Sequence, residues 1–234
     1  MRKSNERDTT HYSLLWFGGK LIPEQHKKYV ETWKKNFTEY KVMKWDESNF
    51  PIDQYDYAKE AMQAGKMAFV SDIARIHSLY EWGMYLDIDV EVIKYFTSLL
   101  KGKSAILGVE DEYKANGIGF LVFAPKHEIC YEMLECYQNN SFSSQSASMS
   151  NTQILADLIK KKYNIELVDK VQVISDLTIY SSWYFTAYNG FTGKTEIMGE
   201  TYCIHHFLAS WHSPSRKFKD AIKKRLHRVM VLYH

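Results

Sequence analysis

Asp87-Ile88-Asp89 places two carboxylates two residues apart, inside an apolar stretch, Met84–Val92, that reads as one strand. Alternate residues of an extended chain share a face. Met84, Leu86, Ile88, Val90 and Val92 then turn toward a core, and Tyr85, Asp87, Asp89 and Glu91 share the opposite face. Carboxylates at this spacing stand roughly 7 Å apart and repel unless water or a cation lies between them. The bland reading is a solvated edge strand. The sharper one is a site for a hard divalent cation, Mn2+ or Mg2+, of the kind that works beside phosphate.

The segment before it adds two charges in unusual places. At 100° per residue, Phe69, Val70, Ile73, Ile76, Leu79 and Tyr80 make one apolar arc, with Ser71, Ser78 and Glu81 on the solvent side. Asp72 lies within the arc and Arg75 beside it. They are spaced to pair at i, i+3, but desolvation offsets much of what a buried pair contributes. Polar groups lining a pocket explain them better than a structural ion pair.

Near the other end, His205 and His206 follow a strand-like run. Neutral imidazole is a common metal ligand. Neighbours on an extended segment face opposite ways, so one of the two at most reaches a given ion. Trp16, ahead of Gly18-Gly19, and Trp211, after Ser210, offer flat surfaces for a base or a sugar, with core packing as the alternative. The sequence contains no GxGxxG, no GxxxxGK[ST] and no GxSxG, so dinucleotide, P-loop and nucleophile-elbow sites are not indicated.

The elements that would hold these residues alternate. Strands are expected at Tyr12–Phe17, Lys41–Trp45, Met84–Val92, Gly119–Ala124, Val171–Ile174 and Thr201–Ile204. Helices are expected from Pro23 to Asn36, and over Tyr55–Ala64, Lys66–Trp82 (stopping at Gly83), Glu128–Tyr137 and Gln153–Tyr163. This order predicts one α/β domain, with the polar tract 138–150 as a loop. The 234 residues are 45% apolar and 25% charged, which excludes disorder as the main theme. Lys and Arg total 30 against 28 Asp and Glu, but seven of the basic residues and one acid fall within 216–228. An acidic body with a basic tail argues against nucleic acid as partner and for a tail directed to an anionic surface. Three cysteines without CxxC spacing, no signal-peptide pattern and no long apolar run lead to the expectation of a reduced, cytoplasmic protein.

Taken together, the motifs resemble glycosyltransferase family 32, which includes bacterial capsular-polysaccharide transferases and yeast initiating mannosyltransferases. More distantly they resemble the glucosylating domain of large clostridial toxins. The matching segments, in order, are Trp16-Phe17-Gly18-Gly19, Trp45-Asp46-Glu47-Ser48-Asn49-Phe50, Phe69 to Arg75, Gly83 to Val90, and Ile204-His205-His206 through Ser210-Trp211. The resemblance implies a GT-A fold over residues 1–212, followed by a basic amphipathic tail, 213–234. It implies a nucleotide-sugar donor (a UDP-sugar is favoured), a divalent metal and retention at the anomeric carbon. The acceptor would be a glycan or lipid-linked saccharide, with the basic tail on an anionic membrane face. By position, Trp16 would stack on the base, and Gly18, Asn49, Ser210 and Trp211 would line the donor pocket. Asp72 and Arg75 would hold donor hydroxyls, and Tyr85 would sit beside the nucleotide. Asp87 would lie near ribose, sugar and metal, and Asp89 and His205 would ligate the metal. The chain departs from the family at Trp82-Gly83-Met84, where Gly-Gly-Ile is usual, and at Asn151–Leu155, where an acceptor-side motif with proline is usual. Two rival readings remain: a haloacid-dehalogenase-like phosphatase, which also uses an Asp-x-Asp strand, and a non-catalytic nucleotide-sugar-binding subunit.

Overall fold

Side-chain alternation builds a sheet that is buried on both faces. The computed structural model describes residues 11–110, 119–142, 150–189 and 194–208. The first half runs β1 (His11–Leu15), α1 (Glu24–Asn36), β2 (Lys41–Trp45), α2 (Asp56–Gln63), α3 (Met67–Trp82), β3 (Met84–Leu86), β4 (Val90–Val92), α4 (Thr97–Leu100) and β5 (Ala105–Gly108). The second runs β6 (Phe120–Phe123), α5 (Glu128–Gln138), α6 (Asn151–Tyr163), β7 (Gln172–Ile174), β8 (Leu177–Tyr180), α7 (Ser182–Phe185), β9 (Tyr188–Asn189), β10 (Lys194–Thr195) and β11 (Cys203–His205).

Seven strands form the main sheet in the order β2-β1-β3-β6-β5-β8-β7. Strands β1, β2, β3, β5 and β8 point one way, while β6 and β7 run against them. Tyr85, Leu107, Leu121, Phe123, Leu177 and Ile179 pack with α2, α3, α5 and α6 on one face. Their sequence neighbours Met84, Leu86, Ile106, Phe120, Val122 and Tyr180 join Trp33, Phe37, Leu100 and Phe185 on the other. This is a single α/β domain with a mixed sheet between helices. Strands β5 and β8, absent from the sequence reading, complete its middle.

The expected strand Met84–Val92 is interrupted. The chain turns at Asp87–Asp89, where the Val90 N–H donates to the Asp87 carbonyl at 2.9 Å. It then leaves the main sheet, and β4 pairs antiparallel with β11 in a two-stranded sheet. The turn draws the two carboxylates onto a shared partner, His205, whose positive charge offsets their repulsion. The apolar half of the reading holds, since Met84, Leu86, Val90 and Val92 share one core.

The amphipathic reading of α3 also needs correcting. Ser78, expected at the solvent side, is fully buried, and its Oγ donates to the Arg75 carbonyl at 2.8 Å. Helices α2 and α5 and strands β1, β3 and β6 all pack against α3, so its buried face is wider than a surface helix would show. Gly83 ends the helix at φ 89°, with its N–H on the Leu79 carbonyl at 2.9 Å. That left-handed residue is what lets β3 start at once.

Helix α1 covers the outer edge of β4 with side chains. Trp33 Nε1 donates to the Val90 carbonyl at 2.6 Å, the Val92 N–H donates to Thr32 Oγ1 at 2.9 Å, and Asn36 Nδ2 donates to the Val92 carbonyl at 3.1 Å. Trp33 is fully buried, so Trp33→Phe should leave a buried carbonyl unpaired, costing about 1–3 kcal/mol. Calorimetry is expected to show a lower melting temperature for that variant. An unchanged one would mean that the indole contributes only packing.

Candidate functional site

Five strands point their carboxyl ends at one edge of the sheet, the usual place for ligands in open α/β folds. Trp16 to Gly19 follow β1, Asp46 to Phe50 follow β2, Asp87 follows β3 and Glu110 lies just past β5. Gly119, immediately before the antiparallel β6, is at the same edge, and its carbonyl accepts from the Asp87 N–H at 2.8 Å.

Arg75 ties α3 to the end of β3. Its Nη2 donates to Asp87 Oδ1 at 3.0 Å and its Nη1 to Asp72 Oδ1 at 3.4 Å, while the guanidinium lies over the Tyr85 ring, 4.9 Å from its centroid. The Tyr85 hydroxyl donates to the same Asp87 oxygen. Burial works against the Arg75 charge, but Asp87, Tyr85 and Asp72 together more than restore it and raise its pKa. Burial pushes the Asp72 carboxyl up to about 6; Arg75 opposes this and Asp87 adds to it. Arg75 Nε is buried without a hydrogen-bond partner among the described residues. An unpaired buried donor is costly, and a ligand hydroxyl would satisfy it.

The other oxygen of Asp87 faces His205. His205 Nε2 lies 3.3 Å from Asp89 Oδ1 and 3.8 Å from Asp87 Oδ2. Ligand atoms of Asp87, Asp89 and His205 all fall within 4.8 Å of one another, closer than a flat strand would allow. Asp89 Oδ2 accepts the Leu208 N–H at 2.7 Å, which leaves Oδ1 turned inward. His206 points away: its Nε2 meets Glu91 Oε2 at 2.9 Å and its ring stacks on Tyr29. The extended geometry at Cys203–His205 thus brings one imidazole to the carboxylates, that of His205, and alternation turns the next one away. Two carboxylate oxygens and one imidazole nitrogen could together hold a divalent cation.

Burial would lower the His205 pKa, but Asp89, Glu110 and Asp87 outweigh it and raise it to about 9. Burial likewise opposes ionisation of Asp89, yet His205 and the Leu208 N–H bring it down to about 2.

The remaining expected residues are distributed as follows. Trp16 is half-buried, its Nε1 donating to the Lys20 carbonyl at 2.6 Å. The Gly18 N–H donates to Glu47, pinning the loop after β1 to the loop after β2. Asn49 spends its amide within its own loop, on the Asp46 N–H at 3.0 Å and the Lys44 carbonyl at 2.7 Å. Ser210, Trp211 and the basic stretch 216–228 lie outside the described residues. Sequence reasoning missed Glu110, Gly119 and Asn151. Asn151 is buried at the start of α6, where its Nδ2 donates to the Asp72 carbonyl at 3.0 Å and to Asp72 Oδ1 at 3.1 Å. Its position inside an atypical stretch, Asn151–Leu155, was the available signal.

Residues 23–106 match the family model for the glycosyltransferase sugar-binding region containing a DXD motif. Asp87-Ile88-Asp89 is the only DxD in the chain. Among solved structures, the PaToxG glycosyltransferase superposes with a TM-score of 0.53 at 19% identity, over 66% of this chain and 70% of its own. The galactosyltransferase LgtC, solved with donor and acceptor sugar analogues, gives 0.51 at 12% identity, over 94% of this chain and 95% of its own. The fold is of the GT-A type. A search of curated proteins gives no significant match.

Two tests follow from the geometry. A Cβ at position 119 would come within 2.5 Å of His205 Nδ1, so Gly119→Ala should displace the imidazole. Titration with Mn2+ should show weakened binding, and parental affinity in the variant would remove His205 from the site. A histidine whose folded pKa is raised contributes stability that is complete below its unfolded value, near 6.5, and is lost as pH rises through about 9. In EDTA, the melting temperature should therefore fall across that window, and His205→Gln should flatten the slope.

Proposed function

We propose that this protein is a metal-dependent, retaining glycosyltransferase of the family 32 kind. It would transfer a sugar from a nucleotide-sugar donor, with UDP favoured, to a glycan or lipid-linked acceptor in surface polysaccharide synthesis. The observation that carries this reading is the Arg75 clamp: within the stretch matching the DXD sugar-binding region, one guanidinium joins Asp72 to Asp87 beside the Asp89–His205 pair.

Each group has a task in that reaction. Asp72 and the unpaired Nε of Arg75 hold hydroxyls of the donor sugar, while the remaining Arg75 N–H groups keep the Asp87 carboxylate turned. Asp87, Asp89 and His205 would hold Mn2+ or Mg2+. When bound, that ion supplies positive charge to the diphosphate leaving group. In the retaining transfer, the bond from the anomeric carbon to the phosphate oxygen breaks as the bond to the acceptor oxygen forms on the same face. The acceptor's proton passes to the departing phosphate. Trp16 would stack on the base, with Gly18 and Asn49 framing that end and Ser210 and Trp211 closing the other. The basic stretch 216–228 would rest on an anionic inner membrane face. Among the described residues, no helix is long and apolar enough to cross a membrane.

The phosphatase reading requires Asp87 as a free nucleophile. Arg75 and Tyr85 already occupy one of its oxygens, which favours a holding role.

Asp89→Asn should keep the fold and reduce manganese-dependent donor hydrolysis or transfer by about 100-fold or more. Full turnover in EDTA, or in that variant, would sink the metal-dependent reading. Arg75→Ala and Asp72→Ala should lose donor use while still binding nucleoside diphosphate in calorimetry. Parental turnover in both would return the pair to a structural role.

A further inference from the structure

The two nitrogens of His205 meet different surroundings. Nε2 faces the DxD carboxylates, whereas Nδ1 faces Glu110 Oε1 at 3.7 Å. The ring has little freedom to exchange these roles. Phe207 stacks on it at 4.0 Å between centroids, and Gly119 lies against its Nδ1 edge, where even a methyl group would collide. Glu110 is 13% exposed in its side chain and is delivered from the far side of β6, at the carboxyl end of β5.

We propose that Glu110 is a positioning residue for the cation site. This rests on the metal-site reading above. A histidine that ligates through one nitrogen needs the other to carry its proton, and a carboxylate facing that N–H fixes both tautomer and ring orientation. With the Glu110 carboxylate 3.7 Å from Nδ1 favouring a proton on that nitrogen, the Nε2 lone pair is directed to the space between Asp87 and Asp89. Gly119 provides the room that lets Glu110 and the imidazole approach, so the two residues serve the same nitrogen.

The test is Mn2+ titration without nucleotide, followed by the EPR signal of the free ion, on the parent, Glu110→Ala, Glu110→Gln and Asp89→Asn. Loss of an outer carboxylate of this type typically weakens metal binding 10–100-fold. Glu110→Ala is expected to fall in that range. Glu110→Gln, whose carboxamide oxygen can still present a negative dipole to Nδ1, should recover part of the loss, a rescue that a packing role would not produce. Should Glu110→Ala fail to fold, the parent against Glu110→Gln still reads the effect of removing the charge. Parental affinity in both Glu110 variants, with binding lost in Asp89→Asn, overturns the role of Glu110 alone. Equal binding by the parent and Asp89→Asn overturns the metal site itself.

Discussion

The ion pair between Arg75 and Asp87 is the contact on which this edge of the sheet depends. It joins the middle of α3 to the end of β3 and occupies one oxygen of Asp87. Only the second oxygen is left for His205, so the direction of the carboxylate is decided before any ligand arrives. Buried ion pairs add little net stability, but removing one partner is expensive because the other charge is stranded. Here Asp72 and Asp87 would both be stranded. The surroundings reinforce the pair through Tyr85, Ser78 and Asn151, each of which meets either Arg75 or one of its partners.

Charge crowding explains the backbone as much as the side chains. Asp72, Asp87, Asp89 and Glu110 approach one another with Arg75 and His205 between them. A continuous strand through Asp87–Asp89 would present the carboxylates side by side, with nothing across from them. Turning there sends β4 into a separate two-stranded sheet with β11, and β11 brings the imidazole that the carboxylates face. The turn also removes β4 from the hydrogen-bonding ladder of the main sheet. Thr32, Trp33 and Asn36 of α1 take over that role for its outer edge.

Much of this was legible in the residues themselves. A short apolar run ending in Gly18-Gly19 marked β1, period-two alternation marked β3, and the mismatch of Asp72 and Arg75 with an apolar arc marked a polar pocket. Alternation at Ile204-His205-His206 limited the cation site to one imidazole. The break in Met84–Val92 was not legible, because residues with strand propensity continue through it and the cause lies in distant charges. Ser78 was misplaced for a related reason: a helix packed by neighbours on several sides buries positions that a single amphipathic stripe leaves outside. The strands β5 and β8 are four-residue runs too short to show a period of their own, and Glu110 inherited their obscurity.

Asp89 and His205 lie 116 residues apart in the sequence, yet their contact closes the site. Such a long-range pairing forms late, since loop closure must precede any reward from the contact. During synthesis, the stretch through β5 emerges with its carboxylates and Arg75 but without the imidazole. A cluster able to hold an ion is then complete only when β11 docks on β4, after every strand of the main sheet has emerged, so its assembly is a chemical report that the sheet is in place.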